Sequence, residues 1–199
     1  TVTSRENTFL IEQAGDERIN TVEVTQSNPL LATAYLTAVV GSIYNGVQPP
    51  NTSNGLGGRA YLIAQGDIGT SDNWIYTEIG ALQSLSTTGS TYVDNQGALT
   101  LLTIDGGAGY GQQSGGDIYT VASSPITIEN DILAAGDIIE TATESAPDNY
   151  DNFTVNSGVE VRSTGGDIVF TAGDDMHVQA DASLIAETGS ITLNADLAG

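Results

Sequence analysis

Short runs of alternating apolar and polar residues recur along the C-terminal part of this chain. From Gly166 they read GDIVFTA, GDDMHVQA, DASLIAE and TGSITLNA, each opened by Gly, Asp, Ser or Thr. Alternation of period two over so few residues predicts half-buried strands. Ile168 and Phe170 then share one face. Met176 and Val178 share the next, with His177 and Gln179 opposite, and Ile191 and Leu193 lie opposite Thr192 and Asn194. The connecting turns are too short and too frequent for long antiparallel hairpins, whereas three strands and three turns close one coil. The GDI at Gly166 and the GSI at Gly189 lie 189 − 166 = 23 residues apart. That is one circuit of a three-sided β-helix. The same opening recurs at Gly66, Gly116 and Gly136, giving gaps of 50, 20 and 30 residues up to Gly166. The longest gap is two rungs, and the gap of 30 contains the polar insertion ESAPDNYDN (144–152). The expected fold is all-β: a parallel β-helix, a three-sided solenoid of about 20–25 residues per rung with loop insertions.

The Gly-Asp pairs have a stated job in this reading. Gly should supply a positive φ at each corner, and Asp67, Asp117, Asp137 and Asp167 should cap the next amides of their own turn. The N-terminal part is less regular. Strands are expected at 8–11, 19–24 and 60–64. LLATAYLTAVVGSIY is ambiguous between strands and a capping helix, and its β-branched content favours strands. Two Gly-rich segments, 45–58 and 106–116, read as loops. The organisation expected is 1–58, irregular N-terminal rungs or a cap with a loop, and 59–199, regular rungs.

The run GDIGTSDNWIYTEIGALQSLSTTGSTYVDNQGALTL (66–101) and the tail 166–196 resemble the repeats of filamentous-haemagglutinin-like giant bacterial surface proteins. The matching pieces are a GDIGT turn, a T-x-I-x-x-L strand at 77–82 and a TGSTYVDNQGALTL strand pair. The resemblance covers residues 60–199 and hardly touches the segment before them. It implies a right-handed β-helix, secretion across an outer membrane, and a role as adhesin, stalk or filament. It carries over no catalytic residue. Asn28-Pro29-Leu30 lacks the second Asn of that family's secretion-domain motif, so that domain is not inferred.

Composition narrows the partners. The chain has no Lys and no Cys; its cations are four Arg and one His, set against 25 acids, for a net charge of −21. Such a surface repels nucleic acid and anionic membranes. Zero Cys excludes disulfides and thiolate chemistry. The most apolar stretch, 30–44, is too short and too interrupted to span a bilayer, so it reads as core with no membrane insertion. The sequence opens at Thr1, with no basic leader, and is expected to be a processed form or a fragment of something longer.

Candidate chemistry is sparse. His177 should point outward as a surface strand residue, which leaves a Ser-His-Asp triad without its base. Asp174, Asp175 and Asp167 form the best set of oxygens for Ca²⁺, with simple turn capping as the default reading and no required cofactor. Arg162, in GVEVRST, could serve a polysaccharide lyase as base. Asn51 and Asn152 sit in glycosylation sequons. Trp74, Tyr76, Tyr92 and Tyr110 could stack on sugars or cover the core. The expectation is a non-enzymatic extracellular or bacterial cell-surface solenoid whose partners are copies of itself or neighbouring rungs, end to end. The alternative is a carbohydrate-binding or carbohydrate-cleaving β-helix, with a surface glycan in a groove lined by Arg162, the aromatics and carboxylates.

Overall fold

The computed structural model describes residues 2–4, 6–24, 32–46, 58–104, 109–144 and 150–195. Within them the chain forms 22 short strands, numbered in chain order, and no α-helix. All the strand pairings are parallel. The strands stack as a β-solenoid.

One wall starts with β2 (Thr8–Glu12), β5 (Thr33–Ala38), β7 (Arg59–Ala64) and β9 (Ala81–Ser86). At β9 this wall divides. The first residues of β9 pair with β11 (Leu99–Leu101) and its last three with β12 (Gln112–Ser114). Beyond it each rung carries two shorter strands. β11 is followed by β14 (Ile126–Ile128), β17 (Phe153–Val155) and β20 (Met176–Val178). β12 is followed by β15 (Ile132–Ala134), β18 (Glu160–Ser163) and β21 (Ser183–Ala186).

A second wall stacks β8 (Ile75–Thr77), β10 (Thr91–Asn95), β13 (Ile118–Ala122), β16 (Ile138–Ala142), β19 (Ile168–Ala172) and β22 (Ile191–Asn194). β3 (Glu17–Ile19) pairs with β6 (Ile43–Asn45), and single bridges Ile43–Ile68 and Ile68–Thr91 join them to this wall. β1 (Val2–Ser4) pairs with β4 (Val22–Val24).

The register reproduces the spacing of the Gly openings. Ile168 faces Ile191, an offset of 23; Ile118 faces Ile138, an offset of 20; Ile138 faces Ile168, an offset of 30. Ile68, Thr91 and Ile118 are successive partners, so the gap of 50 residues holds two rungs of 23 and 27. The ambiguous stretch is strand, as β5 and β6. The loop expected over 106–116 is partly strand instead: Gln112–Ser114 is β12. Register runs unbroken from β5 to β7, Thr33–Arg59 through Ala38–Ala64. Residues 47–57 of the first expected loop, and 145–149 of the insertion, lie outside the described residues.

Alternate side chains of every strand enter the lumen and stack in columns. One column runs Leu10, Leu36, Leu62, Ser84, Gln112, Ile132, Val161, Leu184. Another runs Ile75, Val93, Thr120, Glu140, Phe170, Leu193. Where the wall meets the next corner only small residues fit: Ala38, Ala64, Ser86, Ser114, Ala134, Ser163. The serines among them donate to corner carbonyls, Ser86 Oγ to Gly66 O at 2.6 Å and Ser163 Oγ to Gly136 O at 2.7 Å.

Candidate functional site

The Gly-Asp and Gly-Ser corners form one continuous column along the solenoid. Ser42 N donates to Asp16 Oδ1, Asp67 N to Ser42 Oγ, Ser90 N to Asp67 Oδ1 and Asp117 N to Ser90 Oγ. The column goes on with Asp137 N to Asp117 Oδ1 (2.9 Å), Asp167 N to Asp137 Oδ1 (2.8 Å) and Ser190 N to Asp167 Oδ1 (2.7 Å). Two sequence expectations are corrected here. The carboxylates cap the amide of the following rung, not of their own turn, because stacking brings that amide closer. And Gly66, Gly116, Gly136, Gly166 and Gly189 are absent from the positive-φ positions. They are glycine because rungs nearly touch: a Cβ on Gly89 would lie 2.6 Å from the Asp67 nitrogen and the Gly66 carbonyl carbon. Sequence reading missed the openings at Gly15-Asp16, Gly41-Ser42 and Gly89-Ser90. The dipeptides were there to find, in less regular surroundings.

Asp167 belongs to this column, at the start of β19, and Ser190 Oγ also bonds it at 3.1 Å. Asp174 and Asp175 lie past the other end of β19, about 17 Å away at the rise of a five-residue strand. There Asp174 Oδ2 accepts from Asp151 N at 2.9 Å, and Asp175 N donates to Asn152 Oδ1 at 3.1 Å. The three candidate calcium ligands are therefore not brought together. Among the described residues no group of three or more His, Asp or Glu is gathered for a metal ion.

His177 is exposed on β20, beside Thr154 of the rung before. Arg162 is outward on β18 and clamped by two carboxylates, Glu160 at 2.9 Å and Glu187 at 2.8 Å. Those hydrogen bonds raise its pKa further, so it is held as a cation rather than poised as a base, and they lower that of Glu160. Asn152 of the second sequon is half-buried in the corner; Asn51 and the Asn28-Pro29-Leu30 motif lie outside the described residues.

The aromatics form ladders. Tyr92 stacks on Tyr119 at 4.9 Å and 5°, with Trp74 edge-on at 5.6 Å. On the other wall, Phe9 stacks on Tyr35 at 4.5 Å and 7°, and Tyr35 meets Tyr61 edge-on. Tyr119, Tyr35, Tyr61 and Phe9 were not singled out from sequence, since their partnership depends on register. In the two stacked pairs, Phe9–Tyr35 and Tyr92–Tyr119, each ring gives one face to its partner, and a sugar, which packs its C–H groups on a ring face, has no access to those faces. A shallow cleft of about 100 Å³ lies beside Tyr61, Gln83, Leu85, Tyr110 and Gln113. The Gln83 amide at its base is already engaged, donating to Tyr110 O (3.0 Å) and accepting from Ile104 N (2.8 Å).

The lumen holds a polar enclave that breaks both apolar columns where the wall divides. Gln112 Nε2 donates to Thr120 Oγ1 at 2.9 Å. Glu140 follows Thr120 in register and is fully buried. Both of its carboxyl oxygens, Gln112 Oε1 and Ser84 Oγ have no hydrogen-bond partner. Burial pushes the Glu140 carboxyl well above the usual carboxylate range; the adjoining Thr120 hydroxyl, which falls short of hydrogen-bond geometry toward it, offsets only part of this.

The last described rung is open. Val178, Ile191 and Leu193 continue lumen columns, yet are 41%, 44% and 46% exposed, whereas Val155, Ile168 and Phe170 one rung earlier are 0% exposed. Its three strands sit at one common offset, 176 − 153 = 183 − 160 = 191 − 168 = 23 residues from their partners.

Fold and site together define a repeat protein of the parallel β-solenoid class, built on a corner ladder and a stacked lumen. No family model matches the chain, and neither does any curated protein or solved structure. Among the described residues no helix is long and apolar enough to cross a membrane.

Proposed function

We propose that this chain is a run of rungs in an extracellular structural and adhesive solenoid, a stalk, adhesin shaft or filament that lengthens by end-to-end stacking, and not an enzyme. The observation that carries the reading is the unbroken parallel stack, in which every rung presents its strand edges and lumen residues as the template on which the next rung pairs. Parallel edges left unpaired invite strand addition. A head-to-tail contact between copies does not close on itself, so it extends into a filament. The sides oppose lateral association, since a net charge of −21 makes neighbouring shafts repel. The resemblance of residues 60–199 to giant bacterial surface-protein repeats supports a place outside the cell.

The test is sedimentation and negative-stain electron microscopy over a concentration series, with Ile191→Asp/Leu193→Asp as the comparison. Concentration-dependent, unbranched, end-to-end growth that the double substitution abolishes is expected. Monomers at every concentration for both proteins would sink self-assembly as the role.

A further inference from the structure

Glu140 enters the lumen from β16 with no cation to pair it and only the Thr120 hydroxyl as a polar neighbour. Along its own column it faces Thr120 of β13 on one side and Phe170 of β19 on the other. Phe170 stacks on Phe153 at 4.6 Å, so one side of the carboxyl group is walled by aromatic carbon. The strands across the lumen, β14, β15, β17 and β18, turn Ile128, Ile132, Phe153, Val155 and Val161 inward, all buried. The outward residues of β13 and β19 are Tyr119, Val121, Val169 and Thr171; those of β16 itself are Ile139 and Thr141. The nearest acids on these elements, Asp117, Asp137 and Asp167, stand in the corner column ahead of the strands and would only add like charge. No cation among the described residues faces the site: Arg162 is outward and clamped, His177 is exposed on β20, Arg59 opens β7 between Thr33 and Ala81, and Arg18 lies over Tyr44 near the other end. A buried carboxylate without a partner is costly enough that such groups neutralise instead.

We propose that this solenoid folds with uptake of one proton, which closes into the lumen as the neutral carboxylic acid of Glu140, and that alkaline pH loosens the stack first at β13, β16 and β19. The proton comes from solvent and ends on a carboxyl oxygen; no bond other than that O–H is made. In the unfolded chain the group releases its proton around its ordinary value of 4.5, while in the folded chain burial holds the proton to higher pH. The favourable contribution is therefore complete below about pH 4.5 and is lost as pH rises through the folded value. The position suits such a device. On its C-terminal side the lumen is filled by Val155, Val161, Phe153 and Phe170, and the enclave of Ser84, Gln112, Thr120 and Glu140 adjoins the place where the first wall divides.

The decisive comparison is urea unfolding of the wild-type chain and Glu140→Gln from about pH 4 to about pH 9. Repulsion among the other acids also changes with pH, but it is common to both proteins and cancels in the ratio of their folding constants. That ratio, wild type over variant, is expected to fall about tenfold per pH unit above about 4.5, equivalent to about 1.4 kcal/mol per unit. It levels off once the folded value is passed. Parallel profiles across the whole range would overturn the proposal. Infrared spectroscopy of the folded wild-type chain gives a second reading that does not depend on the variant folding. The carbonyl stretch of a protonated carboxyl, resistant to solvent exchange, is expected at neutral pH, and its absence there would equally reject the idea.

Discussion

Gly89 and Gly97 are glycine for different reasons, and substitution separates them. Gly97 has φ +95° with nothing within 4 Å of a built Cβ, so the backbone conformation alone demands it. Gly89 is a place of contact, where a Cβ would press on the backbone of the preceding corner, which cannot swing aside. Gly89→Ala should cost about 1–3 kcal/mol as overpacking that spreads to both adjoining rungs. Gly97→Asn should be nearly neutral, because Asn tolerates left-handed backbone. Urea unfolding followed by circular dichroism reads both, and equal costs at the two sites would refute the distinction. The sequence marked the column through its Gly-Asp pairs but suggested the wrong cause. A dipeptide looks the same whether it needs a positive φ or a close neighbour, and the neighbour lies a whole rung away in the chain.

At the level of the strand, alternation identified the inward faces of β19 and β22 correctly, because burial in a half-exposed strand is written residue by residue. It failed for β12. Gln112-Gln113-Ser114 has no apolar position, and its inward Gln112 is accommodated by Thr120, eight residues ahead and on the other wall. Ser84 stands next to Gln112 in a column otherwise built from Leu, Ile and Val. Its hydroxyl is buried and unpartnered. Ser84→Ala should therefore raise stability by about 1 kcal/mol, since it removes a desolvated polar group with little loss of volume. A loss of similar size in the urea midpoint would mean that the hydroxyl is satisfied within the enclave after all. The aromatic residues show the same division. Trp74, Tyr76, Tyr92 and Tyr110 are conspicuous in the sequence, yet only register shows that Tyr92 has Tyr119 against its face and that Tyr110 lies with Tyr61 beside a separate cleft.

For the whole molecule, charge and stacking act in opposite directions. With 25 acids against four Arg, self-repulsion strains the folded stack, and screening relieves it. The thermal midpoint is expected to rise by several degrees between about 10 mM and about 500 mM NaCl, over which the screening length shortens severalfold. At matched ionic strength CaCl₂ should add nothing beyond NaCl, because Asp167 is separated from Asp174 and Asp175 by the length of β19. A clear excess with calcium would restore a specific site among the aspartates. What the amino-acid sequence determined by itself was the coil: its period, its inward and outward faces and most of its corners, all written in residues that are neighbours along the chain. Which rung lies on which, why the corner must be glycine, where rings meet and where a carboxyl loses its water were decided only by the tertiary structure. Those contacts join residues 20 to 30 positions apart, and their energies exist only once one coil rests on the next.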